Sequence, residues 1–234
     1  MFDETLKGNL SMFSVLHLIT LLVLVLVFLV IYRFKDKLSK PKNDRIFRIT
    51  LGFGLLLFEG GFHLWVLSKG NYTYTMIPLT GFCALTNVLT IYALLTNKTK
   101  MFNYIIYYAL TGALFALVFV DTDYGVPHFR YFHYFIVHYG FLLASLYYLI
   151  TKRISVNIRY YLTSSLMLFI YTMLVLFANL ILKENWFYLF ESPVKVISDV
   201  FGLPLYTILW ILTIILLTYL WYILLKFITR KGAI

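Results

Sequence analysis

The chain is poor in charged residues and has a single cysteine. Only 13% of its 234 residues are charged, whereas 62% are hydrophobic, and no soluble domain of this length has that balance. One cysteine, Cys83, excludes an intramolecular disulfide framework and any zinc or iron–sulfur site that needs several cysteines. There is also no polar stretch long enough for a sizeable domain outside a membrane. The sequence therefore predicts an all-α, polytopic membrane protein with one domain over residues 1–234.

Seven apolar stretches are long enough to cross a bilayer, for which a helix needs about 20 residues. We therefore expect a bundle of seven transmembrane helices, at residues 11–32, 47–68, 76–96, 101–120, 131–151, 158–182 and 205–228. Residues 1–9 hold two acidic residues and one lysine, whereas a cleavable signal peptide begins with a basic region. The first span is accordingly expected to be uncleaved.

Basic residues are distributed unevenly between alternate loops. If the N-terminus is outside, 15 of the 20 lysines and arginines fall on the inner side and five on the outer side. The positive-inside rule then predicts an outside N-terminus and a cytoplasmic C-terminus. The net charge of +10 needs no nucleic acid partner on this interpretation, because anionic lipid headgroups at the cytoplasmic face supply the opposite charge.

Polar side chains recur at one depth of the predicted spans. Cys83 and His138 each lie eight residues from the outer end of a span, about 12 Å below the outer interface. Ionisable groups in lipid are costly unless they face the bundle interior and find partners. One shared site in the outer half is therefore the simplest expectation, whereas the inner half is almost free of polar residues. The other members of this group are Glu59, His63, His17 and Asn179.

The second predicted span is rich in glycine, which lets helices approach closely in lipid. We expect a tightly packed central helix here, with Glu59 and His63 four residues apart on one face inside the bundle. The glycines are Gly52, Gly54, Gly60 and Gly61.

A thiol and an imidazole together suffice for nucleophilic acyl chemistry. Cys83 is the candidate nucleophile and His138 the candidate base, because the thiolate is the reactive form and burial disfavours it. Glu59 or His63 is a candidate to orient the base, and Asn179 is a candidate donor to the oxyanion. This interpretation invokes no cofactor and no metal.

Each member of the group also has a structural explanation. A lone buried cysteine is more often a packing residue, and His17 is as well explained by a hydrogen bond to a backbone carbonyl. His133 lies about 140° from His138 around a helix of 3.6 residues per turn. We therefore expect His133 to be structural or interfacial.

Two other functions remain open at the level of sequence. His17, His63, His138 and Glu59 together offer the nitrogen and oxygen ligands of a catalytic zinc, as in seven-span membrane hydrolases, although the spacing of histidine pairs and serine in those proteins is missing. A non-enzymatic protein that binds or transports a lipid or small molecule is the third class. Transport is disfavoured because the inner half offers almost no polar route.

Several strings carry a family resemblance. They are FHLWV at 62–66, MIPL at 76–79 leading into Cys83, and DYGVPHFR at 123–130 leading into YFIVH at 134–138. The chain resembles the bacterial YwaF-type integral membrane proteins, which are similar to the eukaryotic transmembrane protein 164 family. Further residues that continue the likeness are His17, Asn179, Asn185 and Tyr188.

The resemblance implies an acyltransferase of membrane phospholipid or lysophospholipid, with Cys83 and His138 as the catalytic pair. It further implies a multi-pass protein of the bacterial plasma membrane, and it leaves the oligomeric state and the choice between transfer and hydrolysis open. The substrate-binding candidates within the resembling strings are His128, Arg130, Asn185 and Tyr188.

Overall fold

The computed structural model describes residues 2, 10–70, 72–73, 76–77, 80–120, 122, 124–192 and 195–230, and these contain helices but no strand. Two short 3₁₀ helices lie at Thr99–Met101 and Trp186–Tyr188. The α-helices are α1 (Val15–Arg33), α2 (Lys35–Leu38), α3 (Pro41–Ser68), α4 (Phe82–Leu95), α5 (Phe102–Val118), α6 (Phe129–Ile150), α7 (Ile158–Leu182), α8 (Lys195–Phe201) and α9 (Leu205–Arg230).

Six of these helices are long and apolar enough to cross a membrane, namely α1, α3, α5 with its 3₁₀ lead-in, α6, α7 and α9. The predicted all-helical, multi-pass architecture is thereby confirmed. The remaining predicted span, 76–96, contains α4, which has 14 residues. At 1.5 Å per residue α4 is about 21 Å long, less than the roughly 30 Å of a hydrocarbon core. It begins only at Phe82, since Gly81 is its N-cap in an extended conformation.

The core of the bundle is built by α5 and α6. About two-thirds of α5 and nearly three-quarters of α6 are buried, compared with about a fifth of α1, α3, α7 and α9. α5 packs against α4, α6, α7 and α9, and α6 also packs against α1, α3 and α4. The glycine-rich α3 is therefore not the central helix that the sequence led us to expect, although it buries Glu59 towards α4 and α6.

Only two of the four glycines in α3 lie at a close contact. A Cβ on Gly52 would lie 2.8 Å from Leu95, and one on Gly61 would lie 3.2 Å from Phe129, whereas Gly54 and Gly60 have no described atom within 4 Å. The glycine pattern thus predicted close packing correctly at two positions and did not identify the helices at the centre.

A second polar cluster lies at the end of the bundle where α3 begins and α6 ends. Asp44 forms an ion pair with Arg153 and accepts a 2.8 Å hydrogen bond from the Tyr147 hydroxyl. Arg48 is buried and donates to the carbonyl of Leu94 at the end of α4. These contacts join α3, α4 and α6 at this end. Arg48 lies within the predicted span 47–68, whereas Asp44 and Arg153 lie in the predicted connections beside the spans.

Candidate functional site

A cavity of about 470 Å³ lies near the end of the bundle that holds the start of α1. Its walls come from α3, α4, α5, α6 and α9, and the 3₁₀ helix Trp186–Tyr188 contributes to one side. Most of the lining is aromatic or aliphatic. The predicted site residues that line this cavity are Glu59, His63, Cys83, Arg130, His138 and Tyr188, and the ones that do not are His17, His128, Asn179 and Asn185.

Cys83 lies in the first turn of α4 and lines the cavity as a free, half-buried thiol. A close approach of α5 positions it, because a Cβ on Gly112 would lie only 3.1 Å from Cys83 Sγ. The absence of a side chain at Gly112 therefore makes room for the sulfur. No hydrogen bond joins Cys83 to His138 in the described structure, although both side chains face the same space.

The hydrogen bonding of His138 fixes its tautomer. Its Nδ1 lies 2.6 Å from the carbonyl oxygen of Tyr134, one turn earlier in α6. A carbonyl oxygen only accepts, so Nδ1 carries the proton of the neutral ring and Nε2 keeps its lone pair. His138 is half-buried inside the bundle and lines the cavity. It therefore has the form that a general base requires.

Glu59 is the centre of a polar cluster formed by α3, α4 and α6. Asn87 Nδ2 donates to its Oε2 at 3.0 Å, His133 Nε2 lies 3.4 Å from the same oxygen, and His63 Nε2 lies 3.3 Å from Oε1. Arg130 donates to His133 Nδ1 at 2.6 Å, so the proton of the neutral His133 ring is on Nε2 and points to Glu59. These residues form a relay of donors from Arg130 through His133 to the carboxylate.

This cluster changes two expectations about α6. Glu59 contacts both His63 and His133, and no described hydrogen bond connects Glu59 or His63 to His138. His133 also lines the cavity together with His138, although they lie about 140° apart around the helix. Both can do so because α6 is buried on most of its circumference. His133 therefore has a contact with Glu59 of the structural kind that we expected, and it also lines the cavity, which the sequence did not lead us to expect.

His17 is fully occupied by backbone partners. Its Nε2 donates to the Leu117 carbonyl at 2.8 Å, and its Nδ1 accepts from the Phe13 N–H at 2.9 Å. The ring is completely buried and lies outside the cavity lining. The structural interpretation of His17 is confirmed: it attaches the start of α1 to the end of α5.

Asn179 and Asn185 shape the loop that follows α7. Asn179 Nδ2 donates to the Trp186 carbonyl at 2.9 Å, and its Oδ1 accepts from the Trp186 N–H at 3.0 Å. Asn185 Oδ1 accepts from the N–H of Phe190 at 2.9 Å. Since the polar atoms of both amides bind loop backbone, Asn179 is not placed to donate to an oxyanion and Asn185 is not placed to bind substrate.

The loop held by these amides places aromatic rings in the wall of the cavity that Cys83 lines. Phe187 stacks on Phe82 with ring centroids 5.0 Å apart, and its carbonyl accepts from Trp210 Nε1 at 3.0 Å. Phe187 and Tyr188 both have left-handed backbone conformations, with φ of 64° and 52°. Such strain in consecutive non-glycine residues persists only where surrounding contacts impose it, and it is common beside ligand sites.

His128 and the residues next to it form the start of α6. His128 is the N-cap, and its Nδ1 accepts from the Arg130 N–H at 3.1 Å. Its ring stacks on Tyr124 with centroids 4.0 Å apart and is almost fully buried outside the cavity. His128 therefore serves as a helix cap. Asp121 and Asp123, in the same predicted outer loop, lie outside the described residues.

The four residues of the zinc hypothesis are not assembled into one site. Both ring nitrogens of His17 bind backbone atoms away from the cavity. Within the described part of the chain, no group of three or more His, Cys, Asp or Glu side chains is arranged to hold a metal ion. The residues present therefore do not fit the predicted ligand set.

Sequence reasoning missed two uncharged residues that line the cavity. They are Thr111 and Gly112 of α5, and Gly112 lies against Cys83. No feature of the sequence around Gly112 indicated a functional role, because it is a single glycine in an otherwise apolar span. Asn87 of α4 lies outside the lining and forms an inter-helix hydrogen bond to the Glu59 carboxylate.

Comparison with known proteins identifies the family of the chain. A model of the TMEM164 family matches residues 10–225, more than nine-tenths of the chain. No curated protein and no solved structure matches the chain. The matched region contains all six candidate membrane-spanning helices up to the last turn of α9, together with the cavity and its polar lining. The chain is a multi-pass membrane protein that belongs to the TMEM164 family.

Proposed function

We propose that this protein is a lipid acyltransferase or acyl hydrolase in which Cys83 is the nucleophile and His138 is the base. The observation that carries the proposal is that both side chains line one largely apolar cavity inside the bundle. The tautomer of His138 supports the role of its Nε2 as proton acceptor. Membership of the TMEM164 family is consistent with a lipid substrate, as the sequence resemblance implies.

The proposed reaction has two steps. The Cys83 thiol gives its proton to His138 Nε2 as the sulfur attacks the ester carbonyl of a phospholipid. The ester C–O bond then breaks, the lysolipid oxygen takes the proton from His138, and a thioester remains on Cys83. A hydroxyl of a lysophospholipid, or water, next gives its proton to His138 and attacks the thioester carbonyl. The C–S bond then breaks, and the sulfur takes that proton from His138, which restores the thiol and the neutral histidine. Catalytic hydrogen bonds are often long without substrate, so Cys83 and His138 are expected to approach when it binds.

The lining of the cavity suits the two parts of a phospholipid. Aromatic and aliphatic side chains cover most of its wall, as acyl chains require, and Phe82, Phe115 and Phe187 lie near Cys83. Arg130 is the cationic residue of the lining, and its charge suits a lipid phosphate. We therefore assign Arg130 and Tyr188 to the headgroup side, and we leave His128 and Asn185 out of substrate binding because the structure occupies them elsewhere.

We also propose the finer topology and origin that the sequence favours. The chain would cross the membrane seven times, with α4 and the segment before it as the short crossing, an outside N-terminus and a cytoplasmic C-terminus. The excess of basic residues in alternate loops supports this orientation and anionic lipid headgroups as partners at the cytoplasmic face. The strings around Cys83 and His138 support the bacterial YwaF-type branch and the plasma membrane as location.

The decisive test uses purified protein in vesicles made from phospholipid with one radiolabelled acyl chain and unlabelled lysophosphatidylethanolamine. Wild type should carry a hydroxylamine-sensitive label and pass it to the lysolipid or to water. Cys83→Ala should lose the label and the transfer, and His138→Gln should slow both by about 10²- to 10⁴-fold. His128→Asn keeps a helix-capping side chain outside the cavity and is the matched histidine control, with activity close to wild type. Full activity in Cys83→Ala, or labelled lipid that binds wild type without reacting, would overturn the proposal.

A further inference from the structure

In the reaction proposed above, negative charge develops on the carbonyl oxygen of the ester. Asn179 does not supply the hydrogen-bond donor to this oxygen that the sequence suggested. An oxyanion in a low-dielectric site needs preorganised hydrogen-bond donors. Two features of the cavity beside Cys83 offer them. One is the N-terminus of α4 and the other is the hydroxyl of Thr111 on α5.

The first feature follows from the position of the nucleophile. Cys83 and Ala84 are the second and third residues of α4, and both line the cavity. The first regular backbone bond at this end runs from the Leu85 N–H to the Gly81 carbonyl, and no side chain caps the helix. The backbone N–H groups of Cys83 and Ala84 have no hydrogen-bond partner among the described residues. Free N–H groups at a helix N-terminus attract negative charge.

The second feature is independent of the helix end. Thr111 is 1% exposed and lines the same cavity, and its Oγ1 is buried without a hydrogen-bond partner in the described structure. The next residue, Gly112, lies against Cys83, where an added Cβ would be 3.1 Å from the sulfur. The unpartnered hydroxyl is therefore one residue away from the contact with the nucleophile.

The hydroxyl of Thr111 does not form a local bond that several other helix threonines form. Thr20, Thr86, Thr213 and Thr229 each donate to the carbonyl four residues earlier, at 2.7 or 2.8 Å. That local bond is the ordinary way to satisfy a threonine hydroxyl in a helix, and it selects one of two rotamers. Because Thr111 does not make it, its hydroxyl can reorient towards a ligand in the cavity without losing a bond to the protein.

We propose that the backbone N–H groups of Cys83 and Ala84 and the hydroxyl of Thr111 form an oxyanion-binding site for the tetrahedral intermediate of a carboxylic ester. The inference rests on the proposed function and adds Thr111 as a catalytic residue that touches the reacting oxygen. As sulfur attacks the carbonyl carbon, the C=O electron pair moves to oxygen and the three donors stabilise it. The pair returns when the ester C–O bond breaks, and the same donors act again when the thioester is attacked.

Three threonine variants test the site in the vesicle assay. Thr111→Val keeps the shape and removes the hydroxyl, and it should lower kcat for acyl transfer by about 100-fold with little change in KM. Thr111→Ser keeps the hydroxyl and should stay within a few-fold of wild type. Thr90→Val is the matched control, because Thr90 is also fully buried and unpartnered but lies outside the cavity lining, and its variant should be as active as wild type.

A second measurement separates oxyanion binding from a general structural effect. An alkyl trifluoromethyl ketone adds to Cys83 and forms an oxyanion, whereas iodoacetamide alkylates the same sulfur without forming one. Thr111→Val should weaken inhibition by the ketone by at least tenfold and leave the rate of alkylation unchanged. Equal loss of both reactivities would mean that the variant distorts the site and would overturn the assignment.

The failure of this inference differs from the failure of the proposed function. If Cys83→Ala is inactive while Thr111→Val keeps wild-type kcat and ketone affinity, the thiol chemistry stands and the Thr111 assignment is wrong. If Cys83→Ala remains active, the proposed function itself is wrong.

Discussion

A close approach between α3 and α6 depends on Gly140. A Cβ added at this position would lie 2.3 Å from Leu55 Cδ2 and 3.0 Å from its Cγ, whereas carbon atoms in contact lie about 3.5 to 4.0 Å apart. Leu55 is 1% exposed, and it also borders a second, largely apolar cavity between α1, α3 and α6. Leu55 lies one turn from Glu59 on α3, and Gly140 lies two turns from His133 on α6. The same helix interface therefore carries both this contact and the contact of Glu59 with His133.

Gly140→Ala should therefore destabilise the bundle and disturb the site. The added methyl group must displace Leu55 by more than about 1 Å to restore an ordinary carbon–carbon contact, and overpacking of a well-packed core costs about 1 to 3 kcal/mol. Gly60→Ala is the matched control on α3, because no described atom lies within 4 Å of its new Cβ and alanine favours helix over glycine by about 1 kcal/mol. Unfolding in mixed detergent micelles, followed by far-UV circular dichroism, should rank Gly60→Ala at or above wild type and Gly140→Ala below it.

A double-mutant cycle with Leu55→Ala identifies the cause. Leu55→Ala alone removes buried methyl groups and should cost about 2 to 5 kcal/mol. In that background the methyl group introduced by Gly140→Ala meets no branched side chain, so this change should cost little or become stabilising, and the two changes should not add. If the free energies of unfolding are additive, or if Gly140→Ala is as stable as Gly60→Ala, then the close approach at Leu55 does not set the packing of α3 on α6.

Two further predictions concern contacts away from the reacting groups. Asn179→Leu removes both hydrogen bonds to the Trp186 backbone and leaves half-buried loop groups without these partners. The change should cost about 1 to 3 kcal/mol and increase proteolytic cleavage within 183–192. Unchanged cleavage would show that the amide does not hold the loop. Asp44→Asn removes the charge that faces Arg153 and should lower the melting temperature of the protein. Asp36→Asn is an exposed control on α2 and should leave the melting temperature unchanged. Equal melting temperatures of the two variants would contradict a stabilising role for the ion pair.

The helices could be predicted from the sequence because each span is a long apolar run. The predicted stretch 158–182 coincides with α7, and 205–228 differs from α9 by two residues at the end. The exception is α4, which begins only at Phe82, after Gly81. A hydropathy window counts apolar residues, so it does not detect that the helix begins after this glycine. The central place of α5 and α6 was not predictable in this way, since hydropathy measures affinity for lipid and does not distinguish lipid from protein as a neighbour.

The sequence could predict how far along a span each candidate site residue lies, but not the direction in which its side chain points around the helix. Residue counts placed Cys83 and His138 at one depth, and both line the cavity. The same counts grouped His17 and Asn179 with them, but those side chains bind the backbone of α5 and of the loop after α7. Direction around a helix depends on which neighbour packs there, and a single sequence contains no direct signal for that. Gly112 illustrates the limit, because its importance arises only from the sulfur on the neighbouring helix.

The hydrogen-bond partners of a polar side chain distinguish structural residues from candidate site residues better than its depth along the span does. His17, His128 and Asn179 have protein partners that account for their placement outside the cavity. By contrast, His138 keeps a lone pair on Nε2, and buried atoms without a partner occur at His63 Nδ1 and Thr111 Oγ1, all within residues that line the cavity.

An unsatisfied polar atom in a low-dielectric interior costs free energy, so its retention beside an open space indicates a ligand that will satisfy it. An unpartnered group alone does not indicate a ligand site, because Thr90 and Ser145 also have unpartnered hydroxyls and lie away from the cavity. Neither an unpartnered group nor a cavity is sufficient by itself. The two coincide at Thr111, one residue from the glycine that touches the thiol, and this adds an uncharged residue of α5 to the site candidates His138 and His63.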